Sequence, residues 1–453
     1  MLDFALKRCA LLVAAGLVFC ELFCEKPALA NGRFPATNAV VAQPGNPKTI
    51  ALRATYGLLL SRDEGANWDW ICESAIGYSG NEDPSVVLTG SGAMIVGTFS
   101  GTSRSVDGGC HWSHDPSWPT NVIDLTTRPR SPERIHAVTN SFSKMGDAGT
   151  NLYASQVFIS EDAGASWSAR STLDPTLLID SIEVAPSDPM RTYVSAVRAS
   201  EHATRGVLLV SSDDGAHWKE LEIKLITPEH GVYIAAVDPE NPARIYVRTA
   251  SADASRLLVS NDAGTSFREI ASGGLLRGFA LADNGVTIFA GDSSGLSRAS
   301  SKDDHFDHVS STSVQCLTSI GLSLWACAPT SAGYVVGAST DRGATFAPKL
   351  ALGGMRGELQ CAAPSSMDIC AADWSALQSL INPNAAADAS VSPTTSATAS
   401  TERASRSAGE KRSMFSCALR GAERDDDPPV SLFAFCALVF FARRMQRKNH
   451  AAE

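Results

Sequence analysis

Long runs of basic residues are missing from this sequence except near its C-terminal end, and its 453 residues carry a net charge of -10. A nucleic-acid partner wants a basic stripe, so that class is set aside. CxxC pairs with neighbouring histidines are missing too, which disfavours zinc. The C-terminal apolar stretch, 430–442, has thirteen residues. A bilayer span needs roughly twenty. No metal and no cofactor are expected.

The first thirty residues have the layout of a secretory signal: Lys7 and Arg8, then "ALLVAAGLVF", then "ALA" ending at Ala30. Cleavage after Ala30 is expected, with a membrane-anchoring first helix as the rival. Cys9, Cys20 and Cys24 leave with that segment, and Cys417 and Cys436 lie in the tail. Six cysteines remain: Cys72, Cys110, Cys316, Cys327, Cys361 and Cys370. An even number in an exported domain favours disulfides. Short spacings suggest Cys316–Cys327 and Cys361–Cys370, leaving Cys72 with Cys110, although fifteen pairings are open.

One octapeptide recurs: "SRDEGANW", "SVDGGCHW", "SEDAGASW", "SSDDGAHW", "SNDAGTSF" and "STDRGATF". Its aspartates and aromatics are Asp63 and Trp68, Asp107 and Trp112, Asp162 and Trp167, Asp213 and Trp218, Asp262 and Phe267, and Asp341 and Phe346. A damaged copy, "SKDDHFDH", holds Asp303, with His305 where glycine is expected. Successive aspartates lie 44, 55, 51, 49, 41 and 38 residues apart, the period of a repeated supersecondary unit. Apolar runs such as "GVLLV" precede most copies and read as strands entering a hairpin. Within the turn, aspartate and serine oxygens can accept backbone N–H bonds, glycine can take a positive φ, and the aromatic can pack on neighbouring strands. Upstream, four units read strand, proline-rich turn, strand, with Pro47, Pro132, Pro189 and Pro242 in corresponding places. The longest loop is expected around "TNSFSKMGDAGTN". Four strands per unit make propeller blades. The expected fold is all-β: a single propeller over 31–380, with seven four-stranded blades. Six is the runner-up, because the copy at Asp303 is poor and the last blades are short.

These features resemble the Asp-box or BNR-repeat propellers, which include sialidases, sortilin-type ectodomains, tandem-propeller xyloglucanases and propeller-type photosystem II assembly factors. The resemblance implies the fold and is nearly silent on activity. Residues 381–415, rich in Ser, Thr, Ala and Pro, read as a flexible linker. The segment 416–453 resembles the C-terminal sorting signal of myxobacterial surface proteins. That resemblance implies processing and anchoring at Cys417, and hence export to the cell surface or outer membrane of a Gram-negative bacterium. The rival is a weak membrane anchor formed by 430–442 with "RRMQRK" on the cytoplasmic side.

Candidate chemistry is sparse. "GDSSG" at 291–295 matches the G-x-S-x-G pattern with Ser293 as nucleophile, but it aligns with "GTFSGTSR" of an earlier unit and reads as a hairpin. Asp303, Asp304, His305, Asp307 and His308 form the densest potential metal cluster; a solvated loop is the default. The repeated aspartates lack the glutamate that closes an EF-hand loop. Glycosidase chemistry needs two flanking carboxylates, and Glu73 and Asp83 lie near blade loops. "GRFP", with Arg33, only faintly resembles the sialidase Arg-Ile-Pro motif. Trp70, Trp118, Trp325 and Trp374 lie outside the repeats and are weak candidates for sugar stacking, with buried packing the favoured role. The favoured function is a non-catalytic binding module for a surface protein or polysaccharide. A glycoside hydrolase is the alternative, and an assembly factor for a membrane complex, which calls for a basic face, is the third reading. The sequence leaves the oligomeric state open.

Overall fold

The computed structural model describes residues 35–381, apart from 80–81, 116–117, 119–120, 129, 147–148 and 200–203. The signal segment with its cysteines, Arg33, the linker beyond Ile381, Cys417, Cys436 and the stretch 430–442 lie outside the described residues.

Seven four-stranded antiparallel sheets stand in a closed ring, spanning 37–71, 85–114, 122–172, 178–223, 231–274, 278–310 and 316–350. The first strand of each blade lines the channel, and the later strands follow in chain order toward the rim. This is a seven-bladed β-propeller. The second and third strands read as continuous apolar runs because each is covered on both faces by neighbouring blades; Met94–Thr98 and Gly57–Ser61 are buried throughout. The proline-rich turns join first and second strands, and the octapeptides join third and fourth. The segment expected as the longest loop is instead a ribbon. Ser131–Met145 and Asn151–Ser160 keep pairing out to Met145 and Asn151, because their backbone N–H and C=O groups satisfy one another beyond the blade.

The octapeptide turns share one geometry. The serine hydroxyl donates to the aspartate at 2.7–3.0 Å and accepts from the glycine N–H at 2.8–2.9 Å. Aspartate Oδ1 accepts the amide four residues on at 2.8–3.0 Å. Its Oδ2 meets the side chain of that same residue, Asn67, His111, Ser166, His217, Ser266 or Thr345, at 2.5–2.7 Å. A polar side chain at this position before the aromatic is common to all six turns. The glycine is required for contact as well as for φ. A Cβ on Gly264 would lie 2.3 Å from Leu208 of the preceding blade, and one on Gly343 2.4 Å from Leu296. The damaged copy differs: its third strand ends at Ser300, Lys302 N–H donates to Ser300 Oγ at 3.3 Å, and Asp303 takes only the His305 amide, at 3.3 Å.

After blade 7 the chain turns back across the outer edges of blades 1 and 2. Gly357–Glu358 adds a fifth strand parallel to Asp69–Ile71, and helix α1, Cys370–Ile381, follows. This path corrects two expected disulfides. Cys370 bonds Cys72 and Cys361 bonds Cys110, while Cys316–Cys327 is as expected, across one strand pair of blade 7. The eight residues between Cys361 and Cys370 carry the chain from one blade edge to another, so nearness in sequence is not nearness in space.

Candidate functional site at the channel mouth

The first strand of each blade is an edge strand, and its outward-facing amides need partners other than a fifth strand. Around blades 2 to 5 the preceding blade supplies them. Asp124 accepts from Ser85 Oγ at 2.9 Å and, across the junction, from the Ile182 amide at 3.1 Å. Asp180 accepts from the Val232 amide at 3.0 Å, and Ser181 Oγ from the Ile234 amide at 3.0 Å. Glu183 accepts from Thr126 Oγ1 at 2.9 Å. Burial pushes the Asp180 and Glu183 carboxyls up to about 7, with Asp124 adding to the rise at Glu183. Asp124 is raised for the same first reason. The turn aspartates behave in the reverse way. Asp63, Asp262 and Asp341 are held at about 2 by the side-chain and amide hydrogen bonds of the residue four on.

Between blades 5, 6, 7 and 1 the channel widens into a cavity of about 360 Å³. Its lining is mixed and mainly polar: Asn38, Thr318, Arg248 and Arg277 stand beside Phe279 and the largely buried Val40, Ile234 and Leu317. Arg248 lies over the Tyr233 ring, 4.3 Å from its centroid, and donates to the Leu276 carbonyl at 3.4 Å. Arg277 is exposed. The cavity opens on the face that carries the hairpins between second and third strands. There Phe99, Phe142 and Met145, on blades 2 and 3, are 61%, 57% and 58% exposed.

The structure distributes the other candidates as follows. Trp70, Trp118 and Trp325 are buried. Trp70 donates to the Tyr56 carbonyl at 2.7 Å and packs on Trp374 of α1, with centroids 5.5 Å apart. Trp118 packs on Phe158 and Trp167. These indoles are core, and no platform forms from them. Ser293 sits on the hairpin between Thr287–Asp292 and Gly295–Ser300, strand-turn-strand as the repeat alignment implies. Glu73 opens a four-residue helix, Glu73–Ile76, and Asp83 accepts from Asn38 at 3.1 Å. Among the described residues no three His, Cys, Asp or Glu side chains converge as metal ligands. In the expected cluster Asp304 is buried between Arg244, at 2.6 Å, and Arg268, while His305 and Asp307 are exposed. Asp214 holds the equivalent place between blades 3 and 4, facing Arg128, Arg134 and His136. The channel arginines were not among the sequence candidates, because they sit on different blades and share no motif.

No family model and no curated protein matches the chain. Solved structures similar to it are propellers. An ancestral GH74 enzyme is 17% identical, with a TM-score of 0.45; the match covers 63% of this chain and 40% of that one. The GH74 xyloglucanase of Xanthomonas campestris is 13% identical over 73% and 74% of the two chains, with a TM-score of 0.30. Sqt1 of Chaetomium thermophilum is 14% identical over 71% and 85%, with a TM-score of 0.42. This chain thus spans well under half of the ancestral GH74 enzyme, and such likenesses speak to fold alone.

Proposed function

We propose that this protein is an exported Asp-box propeller that acts as a non-catalytic binding module for a surface protein or polysaccharide, held at the cell surface by its C-terminal segment. The observation that carries the reading is the channel-mouth face. Three large apolar side chains stand exposed there on the hairpins of blades 2 and 3, on the face where the cavity lined by blades 5, 6, 7 and 1 also opens. Exposed apolar groups clustered on variable loops mark contact surfaces. Three disulfides suit an oxidising compartment. The alternative, glycoside hydrolysis, would fall to Asp124 and Glu183. Both are committed to hydrogen bonds that tie neighbouring blades.

The test is cross-linking mass spectrometry on intact cells producing the tagged full-length protein. A partner or attached polysaccharide should be recovered, and replacing Phe99, Phe142 and Met145 together by Ser should reduce its yield about tenfold. Release of reducing sugar by the wild type, lost in Glu183→Gln, would overturn the binding reading in favour of a hydrolase.

A further inference from the structure

We infer that His111 is a proton-operated latch that clasps the returning segment to blade 2 and guards the Cys110–Cys361 disulfide. The ring of His111 stands between two groups that can only accept. Its Nδ1 lies 2.5 Å from Asp107 Oδ2, and its Nε2 lies 2.8 Å from the Pro364 carbonyl oxygen. Asp107 already accepts the Ser105 hydroxyl and the Cys110 and His111 amides at Oδ1, as an ionised carboxylate does. A neutral imidazole carries one N–H, so it serves one of these acceptors and turns a lone pair on the other. Both bonds form together only when the ring is the imidazolium. His217, at the same position of the blade 4 turn, is the internal contrast. Its Nδ1 meets Asp213 at 2.6 Å, and its other nitrogen makes no hydrogen bond among the described residues. One ring proton is enough there.

The latch and the disulfide join the same two stretches of chain. His111 follows Cys110 directly, and Pro364 lies just beyond Cys361. Ser366 adds neutral ties, its amide to the Cys110 carbonyl at 2.9 Å and its hydroxyl to the Trp112 amide at 3.0 Å. Cys110 and Cys361 are only half-buried, whereas the cysteines of the other two disulfides are buried. An accessible disulfide is the exchangeable one. The charges that face the ring are both acids, Asp107 from its own turn and Asp368 from the returning segment; Arg62 of blade 1 reaches this turn at the Gly108 carbonyl. The Asp107 hydrogen bond, followed by that of the Pro364 carbonyl, raises His111 above its ordinary value. The latch is therefore fully closed below the unfolded value of about 6.5 and is lost as pH rises through the folded one. Neutralisation frees one acceptor, and the stretch 362–365 loosens beside the disulfide.

The test is reduction of the full-length protein by a water-soluble phosphine, with a short cystine peptide in the same solution as a clock. Each event turns one disulfide into two thiols and one phosphine, with water, into its oxide. Alkylation and mass spectrometry then count each bond separately. The Cys110–Cys361 rate, divided by that of the clock, should rise about threefold from pH 6 to pH 9, the loss of one exposed charge-assisted contact. His111→Ser places there the residue that the blade 3 and blade 5 turns carry, Ser166 and Ser266, which keeps the aspartate bond. It should give the higher ratio at both pH values, and His217→Ser should keep the wild-type profile. A flat wild-type ratio, a wild-type profile in His111→Ser, or a lost profile in His217→Ser would each overturn the proposal. Nitrogen-15 spectra of the histidine rings need no variant. One ring should hold both protons above the ordinary histidine pKa, and the absence of such a ring would overturn the latch as well.

Discussion

Between blades 7, 1 and 2 the hydrophobic core is one continuous cluster that also takes in Leu359, Met367, Leu377 and Ile381 of the C-terminal segment. Each of the other five junctions has its own separate cluster. The chain itself crosses six of the seven junctions, that between blades 1 and 2 included, whereas blade 7 meets blade 1, within the first of these two arcs, without that continuity. At this seam the returning segment supplies what the backbone does not: a parallel strand, the Arg356–Asp69 ion pair, the Trp70–Trp374 contact and two disulfides. A ring is only as stable as its closing junction, and here that junction is covalent.

The largest expected effect tests that closure. Cys72–Cys370 and Cys110–Cys361 span 298 and 251 residues, against 11 for Cys316–Cys327. Loop-entropy reasoning assigns about 4 kcal/mol to losing either seam bond while the other remains, and about 3 kcal/mol to the short one. Losing both seam bonds removes roughly 10 kcal/mol, comparable to the whole stability of an ordinary domain. Denaturation of the Ser variants should therefore rank the double seam variant far below either single one. Equal midpoints for the double seam variant and Cys316→Ser would break the contrast between the arcs.

A smaller effect sharpens it within the repeated turns. Trp68 lies at the seam, 1% exposed, and its indole N–H reaches both the Gly65 and the Lys349 carbonyls at 3.1 Å. Phe267, the equivalent aromatic of blade 5, is only half-buried. Trp68→Ala should cost about 4 kcal/mol and Phe267→Ala about 2 kcal/mol, read from urea midpoints. A larger loss at Phe267 would mean that the separate clusters, not the seam, limit stability.

The repeated turn was legible because its logic is local. Serine, aspartate and glycine act within five residues, so type and spacing reveal them, and blade number follows from their count. The Asn, His, Ser or Thr before each aromatic was equally local and equally visible, as a further position, beside the leading serine and the aspartate, that carries a polar side chain in all six copies. The pairing of Cys361 and Cys370 was not legible, because it depends on where the chain goes after blade 7. That path is set by Arg356, Leu359 and Ser366 docking on Asp69, Trp70 and Cys110, partners some 250 or more residues earlier. Arg248 and Arg277 escaped for the same reason. Only ring closure brings their strands to one cavity with Val40 and Leu317.

The channel side extends the comparison to pH. At the seam the junctions are tied by neutral hydroxyls, Thr37 to the Val335 carbonyl at 2.7 Å and Thr318 to the Val40 carbonyl at 3.0 Å. Around blades 3 to 5 they are tied by the carboxyls of Asp124, Asp180 and Glu183. Burial raises Asp180 and Glu183 to about 7 in the folded protein, so folding favours their protonated forms. Their contribution is fully present below the unfolded carboxyl pKa near 4 and is lost as pH rises toward 7. Arg248, close to Asp180, opposes that rise without cancelling it. The variant carrying both Asp180→Asn and Glu183→Gln should therefore be more stable than wild type at pH 7.5, by on the order of 1 kcal/mol, and equal to it at pH 4. Urea midpoints at the two pH values check this. A variant that gains nothing at pH 7.5 would show that these carboxylates are ionised at no expense, and that the two arcs of the ring respond to pH alike.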